Sequence, residues 1–222
     1  RVVVLSTPDS NVALANALLI RLDGPSVTSV NSWVLRCRRE DRSAVALELP
    51  TLGLRVCCTH LDHQEERVRL NQLEQLSAHL SQDSVPATLP LLLMGDFNAI
   101  RRADYSDDEW ALLVRRRAQA AIETETLLVE ELEKPVECGG QWGLTDCRAQ
   151  AAHIEGTTET SCYGARVDYV WMSAPVLQSW RVVSSAHIKL QPEGVTDHCL
   201  VMCELEQITQ QAVGKDTDPP VL

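Results

Sequence analysis

Apolar runs of strand length follow one another through the first third of the chain, with short polar turns between them. They cover residues 2–5, 12–20, 32–37, 44–49 and 54–59. A charged segment, residues 38–42, separates the third run from the fourth and predicts a β-hairpin. The fifth run ends at His60. This part of the chain is therefore expected to form successive β-strands.

The apolar spacing then becomes helical. Val68, Leu73, Leu76 and Leu80 recur with polar residues between them, which predicts an amphipathic helix over 64–82. The run at 91–94 is continuously apolar, as in a strand that is buried on both faces. Helical and strand patterns in one chain predict an α/β (α+β) fold.

The second half of the chain repeats both kinds of pattern. Ser106 and Glu109 have the spacing of a capping box, so a helix is expected to begin there. A second helix is predicted over 124–134, ended by Pro135. Three further strands are predicted at 167–172, 182–188 and 199–205.

No internal repeat or linker divides the chain of 222 residues, so one domain is expected over 1–206. The remaining segment, 207–222, contains Gly214 and the pair Pro219-Pro220 among polar residues, and it is predicted to be a disordered tail.

Composition and charge narrow the function classes. Apolar residues make up 45% of the chain, yet no run approaches the roughly 20 residues that a membrane-spanning helix needs. The formal net charge of −11 gives little long-range attraction for nucleic acid. A local basic groove would still be compatible with this total. The charge favours small or lipid-like phosphorylated substrates slightly over duplex DNA.

Eight cysteines are present, and none has the spacing of a zinc site. Cys57 and Cys58 are adjacent in a predicted strand and would point to opposite faces. Reduced, mostly buried thiols are therefore expected, in an intracellular protein of the cytoplasm or nucleus.

Polar residues capable of catalysis lie where predicted strands end. Asp96 and Asn98 follow the apolar run 91–94, at a position where side chains reach solvent from a rigid backbone. Taken alone, the two residues are also explained by an Asx-turn.

Other candidates occupy equivalent positions. They are His60 after the fifth run, Asp168 inside an apolar strand, and Asp197-His198 before the last strand. Each has an ordinary structural explanation: a core histidine, an aspartate paired with Arg166, and a turn residue. Several such positions in one chain favour a shared site. Acids, an amide and imidazoles suit phosphoester hydrolysis, which needs an aligned water, a hard cation and donors to phosphoryl oxygens.

The ordered motifs THL (59–61), GDFN (95–98), RVDY (166–169) and TDH (196–198) resemble those of the endonuclease/exonuclease/phosphatase superfamily, which has a deoxyribonuclease-like fold. Residues 16–19 and 144–147 resemble two further segments of that family, and the resemblance runs from about residue 10 to 206. It implies a four-layer sandwich of two mixed β-sheets flanked by helices. The implied activity is divalent-metal-dependent hydrolysis of a phosphoester, as by a phosphodiesterase, nuclease or phosphatase. The implied partner is a phosphorylated small molecule, lipid-like molecule or nucleic acid.

The resemblance also implies a metal-binding and water-activating role for two acids. Asp96 would orient or deprotonate the attacking water and touch the metal, and Asp197 would help to bind the cation. Mg²⁺ is the implied cofactor, with Mn²⁺ as a substitute.

The other matched residues are implied to contact substrate or to orient a neighbour. Asn98 and His60 would hold phosphoryl oxygens, and His198 would act as a base or as a charged phosphate ligand, oriented by Asp168. Arg101, just after GDFN, is a candidate for substrate phosphate, and a solvated loop position is the alternative.

One departure limits the expectation. The family's first strand carries an Asn, and a Glu that binds metal follows it, yet nothing before Val12 supplies either residue. The resemblance thus predicts an N-terminally truncated fold with weak metal binding and little turnover, derived from an active longer parent. The alternative function is a catalytically silent form that acts as a binding module.

Overall fold

The computed structural model describes residues 2–3, 16–21, 23–82, 89–122, 124, 126–190 and 196–208. The strands are β1 (Val2–Val3), β2 (Leu18–Leu19), β3 (Val30–Leu35), β4 (Arg42–Leu49), β5 (Leu54–His60), β6 (Leu91–Asp96), β7 (Leu144–Asp146), β8 (His153–Gly156), β9 (Asp168–Ser173), β10 (Trp180–Ile188) and β11 (Leu200–Gln207). The helices are α1 (Glu66–Gln82), α2 (Asp107–Gln119), α3 (Leu127–Glu133), α4 (Cys147–Gln150) and α5 (Ala174–Ser179), with short 3₁₀ turns at Arg102–Asp104 and Val136–Cys138.

The larger sheet has six strands in the order β3-β4-β5-β6-β9-β7. The predicted hairpin is confirmed, since β3 and β4 pair antiparallel on either side of the charged segment. Strands β5 and β6 pair in parallel and α1 connects them, whereas β6 and β9 pair antiparallel. The sheet is therefore mixed, and its central strands are β5 and β6.

The smaller sheet has three strands in the order β11-β10-β8. Strands β10 and β11 are antiparallel, and β10 and β8 are parallel. The expected sandwich of two mixed sheets with helices is thus confirmed. A separate antiparallel pair joins β1 to β2.

The apolar core lies in two layers. One layer packs the larger sheet against α1 and α3, with Leu93 and Trp171 facing Leu76 and Leu132. The other lies between the two sheets, where side chains of β4, β5 and β6 meet Val182 and residues of β11. Both faces of the central strands are covered, which explains why 91–94 is apolar without alternation.

Helix α1 presents buried polar residues as well as leucines to its neighbours. Glu66 accepts a hydrogen bond from the Leu128 backbone N–H at 2.7 Å and a second from Arg69 Nε at 2.8 Å. Because Glu66 and Arg69 are almost fully buried, this pairing is needed to avoid an uncompensated charge. It fixes the start of α3 on α1.

Helix α2 begins as the sequence predicts. The Ser106 side chain accepts from the Glu109 N–H, and the Glu109 carboxylate accepts from the Ser106 N–H, which completes the capping box. A small apolar cluster that includes Ile100, Leu113 and Val167 attaches α2 to the end of the larger sheet.

A buried ion-pair network fixes the start of β9. Arg166 donates to both carboxylate oxygens of Asp146 at 2.7 Å and to Asp104 at 2.9 Å. Its guanidinium lies 4.3 Å from the centroid of the Tyr169 ring. The network ties together β7, the 3₁₀ turn after β6 and the residue that precedes β9.

Several sequence expectations fall partly outside the described residues. Of the runs 2–5 and 12–20, only the short strands β1 and β2 are described. Strand β11 continues to Gln207, where the predicted tail begins, and residues 209–222 lie outside the described part. All eight cysteines are free thiols, of which Cys57 and Cys147 are buried. Among the described residues, no helix has both the length and the apolar content that crossing a membrane requires.

Gly95 permits the close approach of the two central strands. Its φ is +133°, and a Cβ at this position would lie 1.9 Å from the Thr59 carbonyl oxygen. Only glycine combines this backbone conformation with this contact. The ends of β5 and β6 therefore meet because residue 95 has no side chain.

We predict that Gly95→Ala lowers the free energy of unfolding by more than about 2 kcal/mol, because it adds a steric clash to an unfavourable φ. Gly53→Ala is the matched control: Gly53 also has a positive φ of +63°, but no atom lies within 4 Å of its would-be Cβ. Its cost should be about 1 kcal/mol. Urea unfolding followed by tryptophan fluorescence compares the two variants, and equal losses would refute the packing argument.

Candidate active site

The strand register places three predicted residues in one row across the larger sheet. His60 is the direct partner of Asp96 in the β5–β6 pair, and Asp96 is the direct partner of Asp168 in the β6–β9 pair. Directly opposed residues share a face of a sheet. Strands β5 and β6 end at His60 and Asp96, and β9 begins at Asp168, so the row lies at one edge of the sheet.

A loop contact brings His198 to this row. Ser161 and His198 form an isolated antiparallel bridge, and the Cys162 N–H donates to the Asp197 carbonyl oxygen at 2.7 Å. His198 Nδ1 lies 2.8 Å from Asp168 Oδ2, and its Nε2 lies 3.8 Å from Asp96 Oδ2. The imidazole thus bridges the two carboxylates.

The ordinary explanation of Asp168 as a partner of Arg166 is wrong. Arg166 binds Asp146 and Asp104, and the carboxylate of Asp168 is directed to His198. The paired residues lie 30 positions apart in sequence, so their contact depends on the tertiary fold.

Asp96 divides its two oxygens between the backbone and the cavity. Its Oδ1 accepts a hydrogen bond from the Asn98 N–H at 2.8 Å, which is the Asx-turn that the sequence allowed. Its Oδ2 lies 3.5 Å from His60 Nε2. Asn98 has a φ of +49°, and its Nδ2 donates to the Leu61 carbonyl oxygen at 3.1 Å. The turn is therefore the scaffold that aims Asp96 Oδ2 at the histidines.

The site holds its ionisable groups in unusual states. Burial, followed by the Asp168 carboxylate, raises the pKa of Asp96 to about 7. The hydrogen bond to Asp168 raises the pKa of His198 to about 9, so this imidazole is cationic at neutral pH. Burial, followed by the Arg42 guanidinium, lowers the pKa of His60 to about 4, so that ring is neutral. The two histidines differ in charge because a hydrogen bond to Asp168 outweighs the effect of burial at His198, whereas burial dominates at His60, which lies 3.5 Å from Asp96.

Sequence reasoning missed two residues that support the row. Thr160 Oγ1 accepts hydrogen bonds from the backbone N–H groups of Val167 and Asp168, at 3.0 and 3.1 Å, and so fixes the start of β9. Arg42 is buried beside the site, with its Nη2 3.2 Å from His63 Nδ1 and 3.3 Å from Glu40. The sequence could have indicated Arg42, because it lies at the start of an apolar strand and a buried arginine is usually paired with another group. Thr160 gave no such signal.

Two predicted residues do not join the group. Arg101 is directed away from the row: its Nε donates to Glu133 at 2.7 Å, and its guanidinium also meets Asp104 at 3.4 Å. It is absent from the lining of the cavity described next, so the substrate role expected for it has no geometric support among the described residues. Asp197 lines that cavity, but its exposed carboxylate is not in the compact cluster of possible metal ligands.

A cavity of about 770 Å³ opens over the row. Its lining includes His60, Asp96, Asn98, Asp197 and His198. Ligand atoms of Asp96, Asp168 and His198 all lie within 4.8 Å of one another, which is compact enough to surround one ion. The arrangement therefore offers carboxylate oxygens, a neutral imidazole and a cationic imidazole to one bound group.

Solved structures share this fold at low sequence identity. The endonuclease/exonuclease/phosphatase from Bacteroides vulgatus is 16% identical, with a TM-score of 0.59 over 85% of this chain and 68% of that one. The mannosyl-6-phosphatase from Bacteroides thetaiotaomicron is 14% identical, with a TM-score of 0.55 over 84% of this chain and 68% of that one. The 3′ phosphatase NExo from Neisseria, bound to a product DNA hairpin, is 17% identical, with a TM-score of 0.54 over 82% and 72%. At these identities the likeness establishes the fold alone.

No curated protein matches the sequence at a significant level. The model of the Endonuclease/Exonuclease/phosphatase family, in contrast, matches residues 8–198. This range contains all of the motifs that suggested the resemblance, from THL to TDH. Since the match covers most of the chain, the protein belongs to the endonuclease/exonuclease/phosphatase family.

Proposed function

We propose that this protein hydrolyses a phosphoester by attack of water on phosphorus, with the help of a weakly bound divalent cation and at the low turnover expected without the family's upstream Asn and Glu. The observation that carries the proposal is the convergence of Asp96, Asp168 and His198, whose polar atoms lie within 4.8 Å of one another and bring carboxylates and a charged imidazole together beside a cavity. Family membership supports the same reaction class. The remaining steps follow from the charge and hydrogen-bonding state of each side chain.

The donor set fits a hard cation such as Mg²⁺, with Mn²⁺ as a substitute. Asp96 Oδ2 is the carboxylate oxygen that the Asx-turn leaves for the cavity, and Asp197 adds a second carboxylate to the lining. Mg²⁺ is commonly held by one or two carboxylates and several waters. When bound, such a cation supplies charge against the phosphoryl oxygens and lowers the pKa of water. Few protein ligands imply weak binding.

The two histidines contact the phosphoryl group in different ways. His60 is neutral at pH 7, because burial and Arg42 lower its pKa, and one ring N–H can donate to a phosphoryl oxygen. His198 is cationic, so Nδ1–H donates to Asp168 and Nε2–H is directed towards Asp96 and the cavity. A charged donor of this kind stabilises the charge that develops on the phosphoryl oxygens.

Asp96 is the group best suited to take the proton of the attacking water. Burial and the Asp168 carboxylate raise its pKa to about 7, so this side chain accepts a proton more readily than an ordinary aspartate. The hydrogen bond from the Asn98 N–H to Oδ1 holds the carboxylate in one orientation, with Oδ2 left for the cavity. Asn98 also lines the cavity and offers an amide to the substrate.

The substrate class proposed is a small phosphomonoester or phosphodiester. The cavity volume lies within the range of about 300–1,000 Å³ that is usual for small-molecule sites. Two structural neighbours are named as phosphatases, one acting on a mannosyl-6-phosphate group and one as a 3′ phosphatase with DNA. A binding module without turnover is the alternative, and hydrolysis assays separate the two.

We predict that Asp96→Asn and His198→Ala each reduce kcat/KM by about a hundredfold or more, since one removes the base and the other a charged donor. Initial rates on 4-methylumbelliferyl phosphate and on its bis-ester measure this loss in the presence of Mg²⁺. Asp108→Asn and His153→Ala are the matched controls, because both residues are exposed and neither lines the cavity.

Controls that lose as much activity as the site variants would indicate a general effect on folding. Unchanged turnover in both site variants would contradict the catalytic assignment. Binding of inorganic phosphate by a folded wild-type protein that hydrolyses neither ester would favour the binding module.

We predict that EDTA abolishes hydrolysis and that Mg²⁺ or Mn²⁺ restores it. Electron paramagnetic resonance of added Mn²⁺ measures the cation without depending on turnover. Asp96→Asn should weaken Mn²⁺ binding by about tenfold, because it removes the carboxylate charge that faces the cavity. Asp108→Asn should leave the Mn²⁺ titration unchanged, and full activity in EDTA would contradict the metal dependence.

A further inference from the structure

The cavity extends well beyond the residues assigned to the phosphoryl group. Part of its lining comes from the C-terminal end of α2 and from the loop that follows Ser161: Arg116, Gln119, Ala120, Ile122, Cys162 and Tyr163. We call these residues the second wall. None of them has a role in the reaction proposed above, so their contribution to ligand binding is open.

Arg116 supplies an uncommitted positive charge to the second wall. Its side chain is exposed, and within the described part of the chain it makes no hydrogen bond or ion pair. The neighbouring acids of the lining are occupied otherwise: Glu40 lies 3.3 Å from Arg42, and Asp197 is a candidate for the cation. A guanidinium without an acidic partner, in a cavity that already handles phosphate, suits a second anionic group.

The guanidinium of Arg116 lies against a glycine of the loop. Gly164 has a φ of +75°, and a Cβ there would lie 2.9 Å from Arg116 Nη1. The loop therefore packs its bare backbone directly against the guanidinium. Arg115, the preceding residue of α2, is also exposed but does not line the cavity.

Tyr163 supplies an aromatic surface next to that charge. Its side chain is 70% exposed although it is large and apolar, and it lines the same cavity. Nucleobases stack on exposed aromatic rings in this way, because every base has a π-face. Tyr163 precedes Gly164 in the chain, and Arg116 contacts Gly164. The aromatic ring and the cation therefore both belong to the second wall.

We propose that the second wall binds the leaving group of the substrate, and that this group carries an aromatic ring and a second anionic group, as does the nucleoside monophosphate released when a nucleoside bisphosphate loses one phosphate. Tyr163 stacks on the ring and Arg116 binds the second phosphate. This proposal rests on the function proposed above, since it assigns the cleaved ester to the acid–imidazole row. The source of the ligand is a free nucleotide or the terminal nucleotide of a nucleic acid.

Binding to the Asp96→Asn protein tests the proposal without turnover. Isothermal calorimetry in Mg²⁺ compares adenosine 3′,5′-bisphosphate, adenosine 5′-monophosphate and ribose 5-phosphate. The bisphosphate should bind more tightly than the monophosphate, and ribose 5-phosphate should bind most weakly. Adding Arg116→Ala should weaken the bisphosphate about tenfold, as expected for loss of a charged hydrogen bond. Arg115→Ala, the matched control, should change none of the three.

The tyrosine is tested in the same background. Tyr163→Ala should weaken both adenosine ligands about fivefold or more and affect ribose 5-phosphate least, whereas Tyr163→Phe retains the ring and should bind normally. A 5′-phosphorylated trinucleotide provides the second arm. Tighter binding than the mononucleotides identifies a nucleic-acid end as the ligand, weaker binding identifies free nucleotides, and both support the nucleotide class.

Two results would overturn the proposal. One is equal affinity for ribose 5-phosphate and the bisphosphate, and the other is an effect of Arg116→Ala no larger than that of Arg115→Ala. Failure of the proposed function gives a different pattern: the wild-type protein hydrolyses no ester, while the differences in nucleotide affinity persist.

Discussion

The reaction centre depends on the register that joins three neighbouring strands. His60, Asp96 and Asp168 are consecutive partners across β5, β6 and β9, and each lies at the end of its strand. A slip of one residue in any pair would turn a side chain to the opposite face of the sheet. The register is held by apolar burial on both faces of β6 and by the Gly95 contact with Thr59. Packing of the core therefore determines the chemistry at the edge.

The same register creates an electrostatic problem. Asp96 and Asp168 are adjacent and partly buried, and the Asp168 carboxylate disfavours the negative charge of Asp96. His198 offsets this cost through its contact with Asp168, while Asp96 retains a raised pKa. A carboxylate with a raised pKa is stabilised when a cation binds to it, or it loses its negative charge when it takes a proton. Both responses would serve the hydrolysis proposed above, in which the repulsion between the two acids prepares Asp96 for a cation or a proton.

The sequence predicted the elements that local pattern controls. The hairpin, α1, the capping box of α2 and the apolar strand β6 all follow from periodicity or from a short motif, and the structure confirms them. Short elements such as β7, α4 and β8 were not predicted, because three or four residues are too few to show a repeat of apolar positions. The convergence of the four motifs was predictable from their shared position at strand ends. The contact of His198 with Asp168 was implied by the family resemblance and not by spacing, since a loop bridge at Ser161 sets it.

Arg101 and Thr160 show where such prediction fails. Arg101 lies three residues after the GDFN motif, yet Glu133 on α3 binds its side chain, and nothing in the local sequence reveals that partner. Thr160 belongs to an unremarkable polar loop, yet its hydroxyl accepts two backbone hydrogen bonds at the start of β9. In both cases the decisive contact joins two segments whose proximity the local sequence pattern does not indicate.

The cavity combines parts of different origin, and this division bears on specificity. Strand ends supply the acid–imidazole row, and a core that tolerates little change fixes their positions. The second wall comes from the end of a helix and from a loop, where substitutions cost less stability. Residues such as Arg116 and Tyr163 can therefore vary without disturbing His60, Asp96 or His198. In the proposed function the sheet edge holds the bond to be broken, and in the proposed binding mode the second wall selects the molecule that carries this bond.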